Sequence, residues 1–200
     1  DFKPSARRDL DLGSRFNFFE YKPESERPVE LERRLQVALG AARKSGAVQL
    51  LVLPELALSD TEWDVVLRVA RDIPLVLAGV RGDRTNEARL RWAGLDETGK
   101  GNKIAEFAQA KHHRWLLDGR QIVAYGLDRL NHAVSWWEDM DLTPRKLAVA
   151  GVTGWWTMCF MICEDLARIE PVSESVRGIG PSMLVALLLD GPQIGQRWSA

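Results

Sequence analysis

At Cys163 an apolar run, Met158-Cys159-Phe160-Met161-Ile162, gives way at once to Glu164-Asp165. A buried strand ending there delivers a thiol to the rim of a sheet, with acidic residues beside it. A thiol attacks carbon as its thiolate, and near neutral pH it is mostly protonated unless a base, a cation or a helix N-terminus acts on it. The chain offers all three. A strand-to-helix turn after Cys163 brings backbone N–H groups close. Glu55 follows the apolar run 48–53 and Pro54, and Lys111 follows the segment 102–110. Both therefore stand at strand ends, where α/β sheets place their sites. In such an arrangement the thiol attacks the electrophilic carbon of an amide or nitrile. Glu55 takes the thiol proton and passes it to the leaving amine. Lys111, with the N–H of Glu164, faces the developing oxyanion.

Each of these residues also has a plainer role. Cys163 can be a small buried hydrophobe at a strand end, and Cys159, inside the run, reads as core. Glu55 can cap the next helix, although Ser59 already supplies that cap, and a Lys after a strand is ordinarily a solvated charge. His112 and His113, with Cys163 and Asp165, invite a metal reading. No pair among them has the spacing of recognised ligands, so neither metal nor cofactor is expected. Gly178-Ile179-Gly180 lacks the preceding strand and third glycine of a dinucleotide fingerprint. Asp165 is expected to hold the nucleophile turn by accepting backbone N–H bonds. Glu138, Asp139 and Asp141 read as a solvated acidic face, and Trp136 and Trp137 as pocket or interface aromatics.

The elements that must position these groups are legible from periodicity. Leu31, Leu35, Ala38, Leu39 and Ala42 form one helical stripe. Pro28 suits its first turn, Glu30 and Glu32 its N-terminal end, Arg43 and Lys44 its C-terminal end, and Gly46 a left-handed cap. Ser59-Asp60-Thr61-Glu62 is a capping box, opening a second helix whose inner face is Trp63, Val66, Leu67 and Ala70. Strands are expected at 15–21, 48–53, 73–80, 89–95, 102–110 and 183–189, the last ending at Asp190. Residues 146–152 and 155–162 read as a strand pair about a Thr153-Gly154 turn. Asp96 to Gly101 reads as a hairpin turn. Residues 1–14 read as an extended arm or linker remnant, and 15–200 as one domain. Residues 114–145 are expected to form a long loop with one short helix near 120–130. Helices interleaved with near-continuous apolar strands make the class α/β, with a layered sheet.

Composition narrows the setting. The 200 residues carry a net charge of -1 with pI near 6.4. That balance argues against a nucleic-acid surface, which needs clustered excess Lys and Arg. The two cysteines are too close in sequence to staple a domain, and a strand would set them on one face. Reduced thiols and a cytoplasmic setting follow as expectations. No apolar run reaches the length of a membrane span, so no membrane partner is expected. The chain begins at Asp1 without Met, and a piece of something longer is expected.

The residues around these three positions resemble a known family. Leu51-Val52-Leu53-Pro54-Glu55-Leu56-Ala57-Leu58 is similar to the Glu motif of the nitrilase, or carbon–nitrogen hydrolase, superfamily. Met161-Ile162-Cys163-Glu164-Asp165-Leu166 resembles its Cys motif, Lys111 falls at the place of its Lys, and Asn86 resembles a recurrent position ahead of the Lys hairpin. The resemblance implies an αββα sandwich, a Glu55–Lys111–Cys163 triad, no metal, and a small-molecule amide or nitrile substrate. It also implies association into homo-oligomers or fusion to another domain, the face near 171–177 being the first to consider for contact. Two departures accompany it. The family's second Glu after the Lys is missing from Leu117-Asp118-Gly119-Arg120-Gln121, where Gln121 or Asp118 can substitute, with Glu138 a more distant candidate. The family's C-terminal elements are absent from this chain. The tryptophan-rich middle and Lys111-His112-His113-Arg114-Trp115 look more like the nitrilase-like domains attached to bacterial antiphage reverse transcriptases. The alternative function is accordingly a scaffold or regulatory domain with little or no hydrolysis.

Overall fold

The computed structural model describes residues 1–5, 16–23, 25–95, 102–143, 145–153 and 156–189. Among these the fold is mixed α/β, with three sheets and a few helices. Strands β3 (Leu50–Leu58), β4 (Leu75–Gly82), β5 (Thr85–Leu95) and β6 (Asn102–Ala110) form one sheet in chain order. β3 and β4 are parallel and joined through helix α2 (Asp60–Val69), while β4, β5 and β6 are antiparallel neighbours. A second sheet has β10 (Trp156–Ile162) at its centre, antiparallel to β9 (Val149–Thr153) and parallel to β11 (Met183–Leu187). The third sheet runs β1 (Phe2–Pro4), β2 (Phe16–Tyr21), β8 (Ser135–Glu138), β7 (Leu116–Leu117).

The apolar faces explain the packing. β4 is buried over Leu75–Val80 because both its faces are covered. On one face Val76, Ala78 and Val80 meet Leu35 and Leu39 of helix α1 (Pro28–Arg43) and Trp63 and Val66 of α2. On the other, Leu75, Leu77, Ala88 and Leu90 meet Ala150, Met158, Phe160 and Ile162, so the first two sheets bury a common core. Cys159 and Met161 point out of that core and pack with Val172 and Val176, near helices α4 (Glu164–Ala167) and α5 (Glu174–Ile179). Two buried polar side chains bridge these layers. Gln109 donates to the Phe160 carbonyl at 2.9 Å and accepts from the Ala148 N–H at 2.7 Å. Arg91 donates to the carbonyls of Ala70, the C-cap of α2, and Ile73, in the turn that follows it.

Several expectations meet their structure here. The capping box is present in full, with Ser59 accepting from the Glu62 N–H and Glu62 from the Ser59 N–H. Helix α1 ends at Lys44 in ordinary helical geometry, and Gly46, with φ +149°, lies two residues further on rather than serving as the cap. Cys159 and Cys163 do not share a face. Cys163 lies past the end of β10 in a turn with φ 43°, which swings it into the inter-sheet core while Cys159 faces outward. Both are free thiols. The segment 114–145 holds more order than a loop: β7, a helix α3 (Gly119–Ala124), and β8 parallel to β2. Trp136 lies in the core beside Phe19 and Leu117, with its Nε1 donating to the Asn131 carbonyl, so it is no exposed interface aromatic. Residues 6–15, the turn 96–101, Gly154 and Asp190 lie outside the described residues. Among the described residues no helix is long and apolar enough to cross a membrane.

Candidate active site

Glu55 does not stand at a strand end as expected: β3 continues to Leu58, and Glu55 owes its position to a bulge within it. β3 pairs with β4 from Leu50↔Leu75 to Leu53↔Ala78 and resumes at Leu58↔Val80. Five steps along β3 thus cover two along β4, and the excess chain protrudes, with Leu56 at φ 53°. Pro54 supplies a local cause, since it has no N–H for the ladder. Gly79 supplies the space: a Cβ there would sit 2.4 Å from both the Glu55 Cα and the Pro54 carbonyl oxygen. Arg81 holds the far side, donating to the Leu56 carbonyl at 3.0 Å and to Glu62 at 2.7 Å. Burial opposes the Glu62 charge, but the Ser59 N–H and Arg81 outweigh it and keep that carboxyl below its ordinary range.

Lys111 follows β6 and its N–H donates to the Asn86 carbonyl at 2.8 Å. Its ammonium donates to Glu55 Oε1 at 2.8 Å and to Glu138 Oε2 at 2.6 Å. The Asn86 amide ties the same two carboxylates together, with Nδ2 at 2.8 Å from Glu55 Oε1 and 2.7 Å from Glu138 Oε1. Backbone donors complete the acceptors: Leu189 N–H reaches Glu55 Oε2 at 3.1 Å, and Trp115 N–H reaches Glu138 Oε2 at 3.1 Å. All four side chains are buried, Lys111 to 1% exposure. Burial pushes the Glu55 carboxyl up, Glu138 adds to this, and Lys111 and Asn86 only partly offset it. Burial also works against the Lys111 charge, yet Glu138 and Glu55 prevail and raise its pKa, so it stays an ammonium.

Cys163 stands between β10 and α4 with φ 43° and ψ −101°, as the residue that begins the helix. Non-glycine backbone in this region costs about 1–3 kcal/mol and gathers where a side chain must be held in place. Its N–H donates to the Leu187 carbonyl at 2.9 Å. Its thiol lies close to Glu55, Lys111 and the Leu189 N–H. Burial raises the thiol's pKa strongly and the Glu55 charge raises it further, against the pull of Lys111. The resting sulfur is therefore a neutral thiol facing a carboxylate whose own proton affinity is raised. Transfer of the proton between them leaves the net charge of the buried cluster unchanged, which avoids a further desolvation cost.

The remaining predicted positions divide. The N–H of Glu164 is the first of α4 after Cys163, while its side chain turns away to Arg168 at 2.7 Å. Asp165, fully buried, accepts from the N–H groups of His112 and His113 and from His113 Nδ1, at 2.9–3.1 Å. It therefore holds the cysteine turn through backbone N–H bonds, as expected, and fastens it to the residues after Lys111. Gln121 is not part of the cluster. Its amide oxygen accepts from the Asp118 N–H and Asp118 accepts in return, a capping box for α3. Glu138 takes that place instead: it is buried, not a solvated acid. The signal was the alternation in Ser135-Trp136-Trp137-Glu138, where Trp136 and Glu138 share the buried face of β8.

A cavity of about 480 Å³ opens on this cluster, lined by Glu55, Asn86, Lys111 and Glu138 and by the aromatic rings of Phe2, Tyr21 and Trp115. Its size suits a small molecule. Cys163, 6% exposed, is not among its described lining residues and meets it through Glu55.

No protein-family model matches the chain, and no curated protein matches it in sequence. A solved structure does match in fold: the glutamine-dependent NAD+ synthetase from Acinetobacter baumannii in complex with adenosine diphosphate. The TM-score is 0.53 at 14% identity, over 88% of this chain and 32% of that one. The chain thus spans about a third of that enzyme, and the likeness is one of fold.

Proposed function

We propose that this chain is a cysteine-dependent hydrolase or acyl-transferase acting on a non-peptide carbon–nitrogen bond, on a nitrilase-like αββα sandwich. One observation carries the reading: a thiol, a carboxylate and an ammonium from segments remote in sequence lie in one buried cluster beside a cavity. The helix-covered pair of sheets with a common core supports the sandwich. The structural neighbour's dependence on glutamine, an amide, is in keeping with the chemistry.

In the proposed reaction the thiol proton passes to Glu55 as sulfur bonds to the carbonyl carbon. The carbonyl electron pair moves onto oxygen, where Lys111 and the Glu164 N–H oppose the new charge. Collapse re-forms the carbonyl and breaks the C–N bond, with Glu55 returning the proton to the departing amine. Water then attacks the thioester, giving one proton to Glu55. The C–S bond breaks, the sulfur recovers that proton, and a carboxylic acid leaves.

The test is acylation by p-nitrophenyl butyrate, with the adduct mapped by mass spectrometry. Acyl transfer to Cys163 and not Cys159 is expected. Glu55→Gln should lower turnover about 10²–10⁴-fold, the usual contribution of a positioned acid–base group. The same change removes a charge that raises the thiol's pKa, so iodoacetamide should still label Cys163 in that variant. Equal labelling of both cysteines, or none, refutes the reading. The burial of Cys163 favours a second one, a nitrilase-like scaffold or regulatory module of a larger protein such as an antiphage reverse transcriptase. Full biological activity of Cys163→Ala would establish it.

A further inference from the structure

We infer that Asn86 makes the site selective for a primary amide over a nitrile, by accepting a substrate N–H at its Oδ1; this deepens, and rests on, the hydrolase reading above. Both hydrogens of the Asn86 amide nitrogen are committed, one to Glu55 Oε1 at 2.8 Å and one to Glu138 Oε1 at 2.7 Å. Chemistry alone orients this amide, because the flipped form would set its carbonyl oxygen against two carboxylates. Oδ1 is thereby fixed as an acceptor. It is buried, and among the described residues it has no hydrogen-bond partner. Asn86 is 2% exposed and lines the cavity beside Glu55 and Lys111. A buried acceptor without a donor is costly, and a ligand that brings one is favoured accordingly.

A primary amide brings N–H groups on the very nitrogen that must leave. One of them satisfies Oδ1 and holds the nitrogen near the Glu55 carboxyl that protonates it. The bond survives as the nitrogen becomes tetrahedral and departs as ammonia. A nitrile nitrogen carries no hydrogen, so its lone pair would face the Oδ1 lone pairs, and thiol addition would increase the negative charge there. An ester also lacks the N–H, but its leaving group departs without protonation, so it reports the thiol chemistry alone.

The experiment uses three donors sharing one acyl chain: butyramide, butyronitrile and p-nitrophenyl butyrate. Ammonia release is measured for the first two and nitrophenolate release for the third, in the 200-residue protein and in Asn86→Ala. The unmodified protein should turn over the amide at least tenfold faster than the nitrile. Asn86→Ala should lower amide turnover at least tenfold more than ester turnover. Nitrile turnover equal to or above the amide's, or no amide turnover beside active ester turnover, overturns the inference alone. So does an equal loss for amide and ester, which would leave Asn86 merely ordering the carboxylates. Failure of the ester to acylate Cys163, with no ammonia from the amide, overturns the hydrolase reading and this inference with it. Should Asn86→Ala not fold, the comparison of amide with nitrile in the unmodified protein decides.

Discussion

Replacing Glu138 by Gln preserves shape and volume while removing one charge and one acceptor, and its cost can be worked from the contacts. At 2.6 Å from Lys111, with an effective dielectric constant of about 20, the lost attraction is about 6 kcal/mol. Relief from burying a carboxylate returns several kcal/mol of this. A second loss is geometric. Glu138 accepts at both oxygens, from Asn86 at Oε1 and from Lys111 and Trp115 at Oε2. Glutamine has only one oxygen, so its amino group must face a donor, and an unmet buried donor costs about 1–3 kcal/mol. A net loss of about 3 kcal/mol follows, at the low end for a broken buried pair because Lys111 keeps Glu55. In a chain of this size that lowers the melting temperature by about 6–12 °C, measurable by calorimetry near neutral pH. A melting temperature within 2 °C of the unmodified protein's would refute the reasoning, since Glu138 could not then be desolvated against Lys111.

Gly79→Ala should be nearly as damaging without altering any polar side chain. Its Cβ meets backbone at 2.4 Å, overpacking of a kind that costs about 1–3 kcal/mol, and displacing the Glu55 bulge should lower turnover about 10²-fold; unchanged turnover and melting would show that the bulge is not held there. Turnover should fall on the acid side at a pH above the ordinary glutamate value of about 4.3, because Glu55 must be a carboxylate and burial raises its pKa. Glu138→Gln removes one cause of that rise, so a pH–rate profile of the variant should show the acid limb moved to lower pH, and an upward move would contradict the electrostatics. The sign for stability is the opposite: the folded state holds the Glu55 proton more tightly than the unfolded chain, so this group's contribution is greatest at low pH and is lost as pH rises through the folded pKa. Asp118→Ala should cost about 1 kcal/mol through loss of the α3 cap and leave turnover within twofold, measured by thermal unfolding and ester hydrolysis; a large loss of turnover would return the Asp118–Gln121 pair to the site.

What the amino-acid order determined by itself was local. The stripe from Leu31 to Ala42, the Ser59–Glu62 box and the apolar runs of β3, β4 and β10 announce themselves within a few residues, because helix and strand periods are short-range properties. So does the delivery of Lys111 and Cys163 to strand ends, since each follows a run of strand character, whereas Glu55 lies at a bulge inside β3 that continues to Leu58. Which charges then meet was decided by tertiary structure. Glu138 reads as one acid among three until β8 pairs with β2 and turns it inward beside Lys111. Gln121 reads as a substitute for it until the Asp118 N–H claims its oxygen. Asp165 reads as a carboxylate that accepts backbone N–H bonds, but that its donors are those of His112 and His113, more than fifty residues earlier, is set by the fold. The separation of Cys159 from Cys163 depends on a backbone conformation at φ 43° that residue type alone does not foretell. In each case the deciding partner is remote in sequence, and a buried charge goes wherever long-range strand pairing provides the opposite charge and the donors it needs.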